Sequence, residues 1–252
     1  MSDVGGHYGP ETYGDRFAEV YDEWYQGLTP DMEGAASFLA ALARSGRALE
    51  LGIGTGRVAL PLAERGVTVH GIDASEAMVA RLRAKPGGTS LPVEIGDFAD
   101  VAVEGSFSLI FVAFCTFFAL LSQDEQVRCF ANVAERLDED GVFVIEAFGA
   151  SYPAQFKEGQ RAAVGLVDAQ QVILDLGRYD PATQRASLQY VLITDEGTRL
   201  YPMQLRYTSP PELDLMARLA GLRLRERWAG WRREAFTAES TLHVSVYERV
   251  PE

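Results

Sequence analysis

Leu49-Glu50-Leu51-Gly52-Ile53-Gly54-Thr55-Gly56-Arg57-Val58 decides the fold. An apolar run ends at Leu51, glycines follow at every second position, and a helical pattern begins at once, with Val58, Ala59, Leu62 and Ala63 on one face. That is a strand, a tight turn and a helix whose positive end points at whatever the turn holds. Glycines are needed where a backbone must bend sharply and let a ligand approach closely, because a Cβ would block both. The dinucleotide fingerprint asks for glycine at the first, third and sixth positions, here Gly52, Gly54 and position 57, but position 57 is Arg57 and the third glycine is Gly56. A nicotinamide site, or a turn with no ligand, is the competing reading.

Two acids frame the turn. Glu50 opens it, and Asp73 closes the next strand, Val67 to Asp73. Asp73 stands where a β-α-β unit presents a carboxylate to a ribose diol. The set Glu50-x-Gly52-x-Gly54-x-Gly56 with Asp73 resembles the class I S-adenosylmethionine-dependent methyltransferases. The resemblance implies a glycine turn, Gly52 to Gly56, under the methionine part of the cofactor, Asp73 at the ribose hydroxyls, Glu50 and Ala74 among the other cofactor residues, and no pyrophosphate. S-adenosyl-L-homocysteine is then the product. It further implies that Asp97 and Phe98, which follow a third strand from Leu91 to Ile95, hold the adenine.

The 252 residues are 47% apolar, enough for one substantial core with an insertion. A net charge of −13 repels polyanions and argues against RNA or DNA as substrate. Arg223, Arg225 and Arg227 alternate along an apparent strand, as a solvated face does. Cys115 and Cys129 have no metal-ligand spacing, so no metal site is expected, and they read as reduced thiols of a cytoplasmic protein. The opening residues are neither basic nor apolar, unlike a signal peptide. The apolar run Leu109 to Leu121 is shorter than the ~18 residues a membrane span requires.

The expected fold class is α/β: a Rossmann-like, seven-stranded, mostly parallel sheet with its last strand antiparallel, flanked by helices. A small antiparallel sheet is expected as an insertion before the last α/β unit. Residues 1–148 would carry the amino-terminal helices and the cofactor-binding core, 149–208 the insertion, and 209–252 the final helix and strands. Residues 1–11, rich in glycine and polar groups, read as poorly ordered. From Tyr13 a helix carries Phe17, Val20, Tyr21, Trp24 and Tyr25 along one side. That spacing suits simple packing surface. The resemblance implies instead a cover over the cofactor, which makes Tyr13, Tyr21 and Tyr25 candidate site residues.

A second helix spans Met32 to Ala43, and Ser75 caps another that carries Met78, Val79 and Leu82. Phe107 to Ala113 is almost wholly apolar, as a central strand covered on both faces must be. Many relatives carry an acid where this chain has Ser108. Phe114 follows at the carboxyl end, where open α/β sheets place their ligands, and counts among the cofactor residues. Ser122-x-x-Glu125 is a capping box, and the fifth strand runs from Val142 to Ala147. Glu146, near its cleft end, either meets the acceptor or is tied to the backbone.

After Gly149 three strands are expected: Gln171 to Leu176, Ala186 to Thr194 and Leu200 to Thr208. The resemblance implies that they form a lid, with Tyr179, Tyr190, Tyr201, Arg206 and Tyr207 as candidate pocket residues. Leu222 to Trp228 and Leu242 to Glu248 are the last two strands. The loop between them would bring Trp231 and Arg232 or Arg233 to the acceptor, and His243 to the same rim. A lone strand histidine is more often core, but His243 joins Glu146 and Tyr21 as a candidate catalytic residue.

Methyl transfer from a sulfonium is an in-line displacement in which the protein mainly aligns the reactants. An oxygen nucleophile requires a base, whereas an amine has only to arrive deprotonated in a shielded pocket. With three histidines and none beside a motif, nitrogen is the favoured acceptor atom. The aromatic helix, the insertion and the acidity look like the small-molecule methyltransferases of bacterial secondary metabolism, including those acting on amino sugars. The expected partner is a small-molecule acceptor, without nucleic acid or membrane, and the protein a monomer or homodimer. A cofactor-binding protein that transfers no methyl group and, further off, an RNA methyltransferase remain as alternatives.

Overall fold

The computed structural model describes residues 8–25 and 31–250, so most of the glycine-rich start lies outside the described residues. In chain order its first elements are α1 (Thr12–Phe17), α2 (Tyr21–Tyr25), α3 (Met32–Ala43), β1 (Arg47–Leu51), α4 (Ala59–Glu64), β2 (Thr68–Asp73) and α5 (Glu76–Arg83). There follow β3 (Val93–Ile95), β4 (Phe107–Val112), α6 (Gln123–Arg136) and β5 (Leu137–Phe148). The insertion contains β6 (Gln160–Val167), β7 (Gln171–Asp180), β8 (Arg185–Thr194) and β9 (Gly197–Arg206), and the chain closes with α7 (Pro210–Leu219), β10 (Leu222–Trp228) and β11 (Leu242–Arg249).

Seven strands form one sheet in the order β10-β11-β5-β4-β1-β2-β3. β11 runs antiparallel to both of its neighbours and the other pairs are parallel, which is the Rossmann-like arrangement expected. β1 sits near the middle, Leu49 opposite Ile110 of β4 and His70 of β2, so the turn after Leu51 opens at the carboxyl edge of the sheet. Alternation along the strands builds two cores. Leu49, Leu51, Ile110, Phe143 and Ile145 join Phe130 and Val133 of α6 and Leu213 and Met216 of α7. Ala48, Phe111, Val144 and Val246 join Phe38, Leu39 and Leu42 of α3 and Leu62 of α4. Each of the larger side chains among these, when fully buried, stabilises the fold by about 1.5–3 kcal/mol.

The helix starts follow the local chemistry. Ser122 and Glu125 make the reciprocal capping box of α6, and Ser75 Oγ accepts from Met78 N at 3.1 Å to start α5.

Three expectations change. The aromatic stretch from Tyr13 is two short helices rather than one, broken at Ala18 to Val20, and tertiary packing holds them, since helices this short do not stand alone. β5 starts five residues earlier than expected, with a bulge where the pairing moves from Phe107–Leu137 to Leu109–Val142. The insertion has four strands, not three, in the order β6-β7-β8-β9. β6 is an edge strand exposed along nearly its whole length, so it lacks the alternation that marks a half-buried strand.

The inner face of the inserted sheet carries Asp175 opposite Tyr190, and Tyr190 opposite Tyr201. Ala186, Leu188 and Leu205 bury against Tyr152, Phe156 and Tyr207 in the main core. Tyr201 packs instead with Phe17 of α1. Among the described residues no helix is long and apolar enough to cross a membrane.

Candidate active site

The glycine turn is held to β2 by backbone bonds, Gly52 N and Ile53 N both donating to Ile72 O, at 2.8 and 3.1 Å. Gly52, Gly54 and Gly56 have φ of +70°, +54° and +78°, a region that side chains rarely adopt. A Cβ on Gly52 would come within 2.6 Å of Thr116 Cγ2, and one on Gly56 would collide with Leu82. Above Gly54 the nearest atom would be 4.0 Å away, so that glycine faces open space. Asp73 completes the turn: Oδ2 accepts from Gly54 N at 2.7 Å and Oδ1 from Ser75 N at 2.8 Å. Burial raises its pKa, and the two N–H donors pull it back.

A cavity of about 150 Å³ opens here, lined among others by Tyr13, Tyr21, Gly52, Gly54, Asp73, Ala74, Asp97 and Phe98. Eight residues singled out from the sequence thus meet in one place. Tyr8, Met78 and Thr116, which the sequence did not single out, share its walls. A wider, open depression of about 920 Å³ on the inserted sheet takes no wall from the glycine turn.

Two clasps set the amino-terminal helices over this cavity. Asp15 Oδ1 accepts from Ser75 Oγ at 2.6 Å, joining α1 to the start of α5. Asp22 Oδ1 accepts from Thr55 Oγ1 at 2.7 Å and from Lys85 Nζ at 2.9 Å, joining α2 to the glycine turn. Tyr13 Oη donates to Tyr25 Oη at 3.4 Å, and burial raises the pKa of both, Tyr13 strongly. Tyr21 is pushed up to about 12, again by burial. These phenols are neutral near pH 7. Phe17 lies between the inserted sheet's Tyr190 and Tyr201, with ring centroids 6.0 and 5.3 Å away.

Behind the turn, the Arg57 guanidinium lies 4.4 Å from the ring centre of Phe114, 5.5 Å from that of Tyr21 and 5.6 Å from that of Tyr25. Its Nη2 donates to Tyr25 O at 3.3 Å, while Nη1 is buried without a partner. Glu50 is 4% exposed, accepts from Ala59 N, and leaves Oε2 unpartnered. Burial, then the Asp73 charge, holds its pKa well above the usual carboxylate range. Phe114 and Cys115 bend the chain out of β4 at φ of +54° and +60°, unusual for residues with side chains. Glu146 holds that bend by accepting from Phe114 N at 2.7 Å, and its other oxygen accepts from Trp231 Nε1 at 2.9 Å.

Several expected site residues are engaged elsewhere. Glu146 has each oxygen taken by an N–H, so it fixes Phe114 and Trp231. Trp231 is buried on the α3 side of the sheet, 5.7 Å from the ring centre of Phe38. Arg232 is exposed and pairs with Asp31 ahead of α3. Arg206 is buried in a polar network with Gln126, Thr208, Gln184 and Glu212, tying β9 to α6 and α7. His243 is fully buried, Nδ1 2.8 Å from Ser245 Oγ, and burial pushes its pKa down to about 3. Chain order placed Glu146, Trp231, Arg232 and His243 near the cleft end of the sheet and Arg206 in the inserted sheet; in the fold His243 meets Ser245 two residues on, and the others meet partners distant in the chain.

Residues 48–141 match the family described as Methyltransferase domain. The chain superposes on the CcbJ methyltransferase from Streptomyces caelestis with a TM-score of 0.91 at 42% identity, covering 97% of this chain and 100% of that one. The chain belongs to the S-adenosylmethionine-dependent methyltransferases.

Two curated relatives extend the comparison of this methyltransferase. The cypemycin N-terminal methyltransferase of a Streptomyces species is 29% identical over 95% of this chain and 98% of its own length. The dTDP-3-amino-3,4,6-trideoxy-alpha-D-glucopyranose N,N-dimethyltransferase of Streptomyces venezuelae is 29% identical over 56% of this chain and 60% of its own. The methyltransferase uses S-adenosylmethionine, and its own residues fit that cofactor. Gly54 leaves the space a ligand needs, and Arg57 Nη1 and Glu50 Oε2 are a buried donor and a buried acceptor still lacking partners, suited to an amino acid's carboxylate and ammonium.

Proposed function

We propose that this methyltransferase acts on an amine nitrogen of a small molecule of secondary metabolism. The observation that carries the reading is the character of the cleft rim: its phenols, Tyr8, Tyr13 and Tyr21, are neutral, its acids Asp73 and Asp97 are assigned to the cofactor and Glu125 to the cap of α6, and neither described histidine lines it. His243 is buried on Ser245, and His70 packs against Phe107. Glu146, the nearest buried carboxylate on β5, has both oxygens occupied. An alcohol would need a base to lose its proton, whereas an amine brings its own lone pair, and burial disfavours its charged form. The amine substrates in the names of the cypemycin and dTDP-amino-sugar relatives support the same reading.

In this reading Arg57 and Glu50 hold the methionine end of the cofactor, Gly52 and Gly54 pass beneath it, and Gly56 packs the turn onto Leu82. Asp73 and Ala74 take the ribose, Asp97 and Phe98 the adenine, and Phe114 backs Arg57. When bound, the cofactor supplies a methyl group already activated on a sulfonium. Tyr13, Tyr21, Tyr25 and Tyr190 line the acceptor side and exclude water, so alignment and desolvation drive transfer. Residues 149–208 form the lid. The charge of −13 disfavours nucleic acid, and the two free thiols suit the cytoplasm. The test is a methyl-labelled S-adenosylmethionine assay on paired acceptors, an amino sugar nucleotide and a peptide with a free amino terminus, each beside its hydroxyl counterpart. Label on the amines is expected, and label on the hydroxyl counterparts alone would sink the reading.

A further inference from the structure

Two buried polar groups, one on the inserted sheet and one in the turn that follows β5, are left unexplained by the cofactor. Asp175 on β7 is 6% exposed, the most buried acid of the insertion, and its Oδ1 has no partner. The other oxygen, Oδ2, is paired with Arg161 Nη2 at 2.5 Å, across side chains that are 8% and 27% exposed. Tyr152, 2% exposed, also has its Oη buried and unpartnered. Its ring is locked by stacking on Phe148 at 4.4 Å and on Tyr207 at 5.5 Å, so the hydroxyl has a fixed place. Leaving a polar atom buried and unmade costs about 1–3 kcal/mol, which a bound donor or acceptor would recover.

Neither group is a wall of the cavity beside Gly52 and Gly54, which Tyr13 lines. Asp175 faces Tyr190 across the β7–β8 pair. The charges of Asp175 and Arg161 both act on the Tyr152 phenol, whose pKa burial raises most. Tyr25 also feels Asp175. Tyr190 packs on Phe17 at 6.0 Å and Phe17 stacks on Tyr13 at 4.4 Å, so a chain of rings joins Asp175 to the cavity beside Gly52 and Gly54.

We propose that Asp175 Oδ1 and Tyr152 Oη form the recognition site for the acceptor, taking a neutral hydrogen-bond donor, a hydroxyl or N–H, on its scaffold. The proposal rests on the amine-acceptor reading and deepens it. Arg161 already balances the Asp175 charge, so the pair orients a donor hydrogen without favouring an ammonium, which would lack the lone pair that transfer needs. A site built to bond a substrate's OH or NH also rejects analogues that lack it, by larger factors than an apolar pocket manages. Asp175 and Tyr152 are therefore specificity residues.

Asp175→Asn and Tyr152→Phe test this, using whichever acceptor of the paired panel the native enzyme methylates. In Asp175→Asn an amide donor can face the substrate's donor. In Tyr152→Phe one oxygen is lost and the stacking remains. The acceptor KM should rise at least tenfold in the first and severalfold in the second, with S-adenosylmethionine affinity by calorimetry unchanged. Native acceptor KM in both variants, with or without a fall in Tm, would overturn the proposal and leave Asp175 as the structural partner of Arg161. The amine reading fails separately, when native enzyme labels hydroxyl counterparts only, and the same KM comparison then runs on those.

Discussion

Asp73 Oδ2 accepts a hydrogen bond from the backbone N–H of Gly54 at 2.7 Å, so the acid that ends β2 also shapes the turn that follows β1. Asp73→Ala should remove a ligand contact and loosen the turn together. With each bond to a charged group worth about 1.5–3 kcal/mol, S-adenosylmethionine affinity should fall roughly a hundredfold by calorimetry. An unchanged affinity would refute the ribose assignment.

The glycines of the turn should separate by substitution. Gly54→Ala meets open space, so its stability cost is that of a left-handed residue, about 1–2 kcal/mol. Its main effect should be lost cofactor binding. Gly56→Ala adds the collision with Leu82 and should lower Tm further than Gly54→Ala does. Thermal melts and titrations on both variants give the comparison, and the reverse ranking would contradict these roles.

Arg57 was visible in the sequence only as a misfit to a glycine pattern, yet its Nη1 is buried without a partner, which is why the proposed function gives it the methionine carboxylate. Arg57→Met should weaken S-adenosylhomocysteine binding at least tenfold, and Arg57→Lys should fall between, since an ammonium lacks the planar fork. Equal affinity in all three proteins would remove Arg57 from the site.

His243 gives a signed pH prediction. Its folded pKa is depressed to about 3 from 6.5, so below pH 6.5 the unfolded chain binds a proton that the folded imidazole refuses. Its contribution to stability is whole above pH 6.5 and declines by about 1.4 kcal/mol per pH unit as pH falls towards 3. Urea unfolding at pH 7 and pH 5 should show about 2 kcal/mol more loss in the native protein than in His243→Gln. The kcat near pH 7 should survive the substitution where the fold does, as His243 touches no site residue.

The parallel core was legible because its central strands β1 and β4 are buried on both faces and its turns carry glycine, serine caps and an acid at fixed offsets. Met32–Ala43 and Leu222–Trp228 begin and end where their periodicity says. The candidate cofactor positions were legible for the same reason: Gly52 follows β1, Asp73 ends β2 and Asp97 comes just after β3, at strand ends that the sequence marks. The acceptor half was not. Arg206 is claimed by Gln126 from eighty residues away, and nothing beside Arg206 in the chain announces it. Asp175 sits in an ordinary alternating strand, and only the fold shows that its neighbours leave one oxygen unmet.

The wedge of Phe17 between Tyr190 and Tyr201, with Tyr8 Oη accepting from Gln204 N at 3.1 Å, makes the amino-terminal segment and the inserted sheet a matched pair. A chimera that borrows another enzyme's insertion to change acceptor preference must import the corresponding first twenty-five residues too. Without them the graft would present bare aromatic surface to solvent, and precipitation would hide any new selectivity.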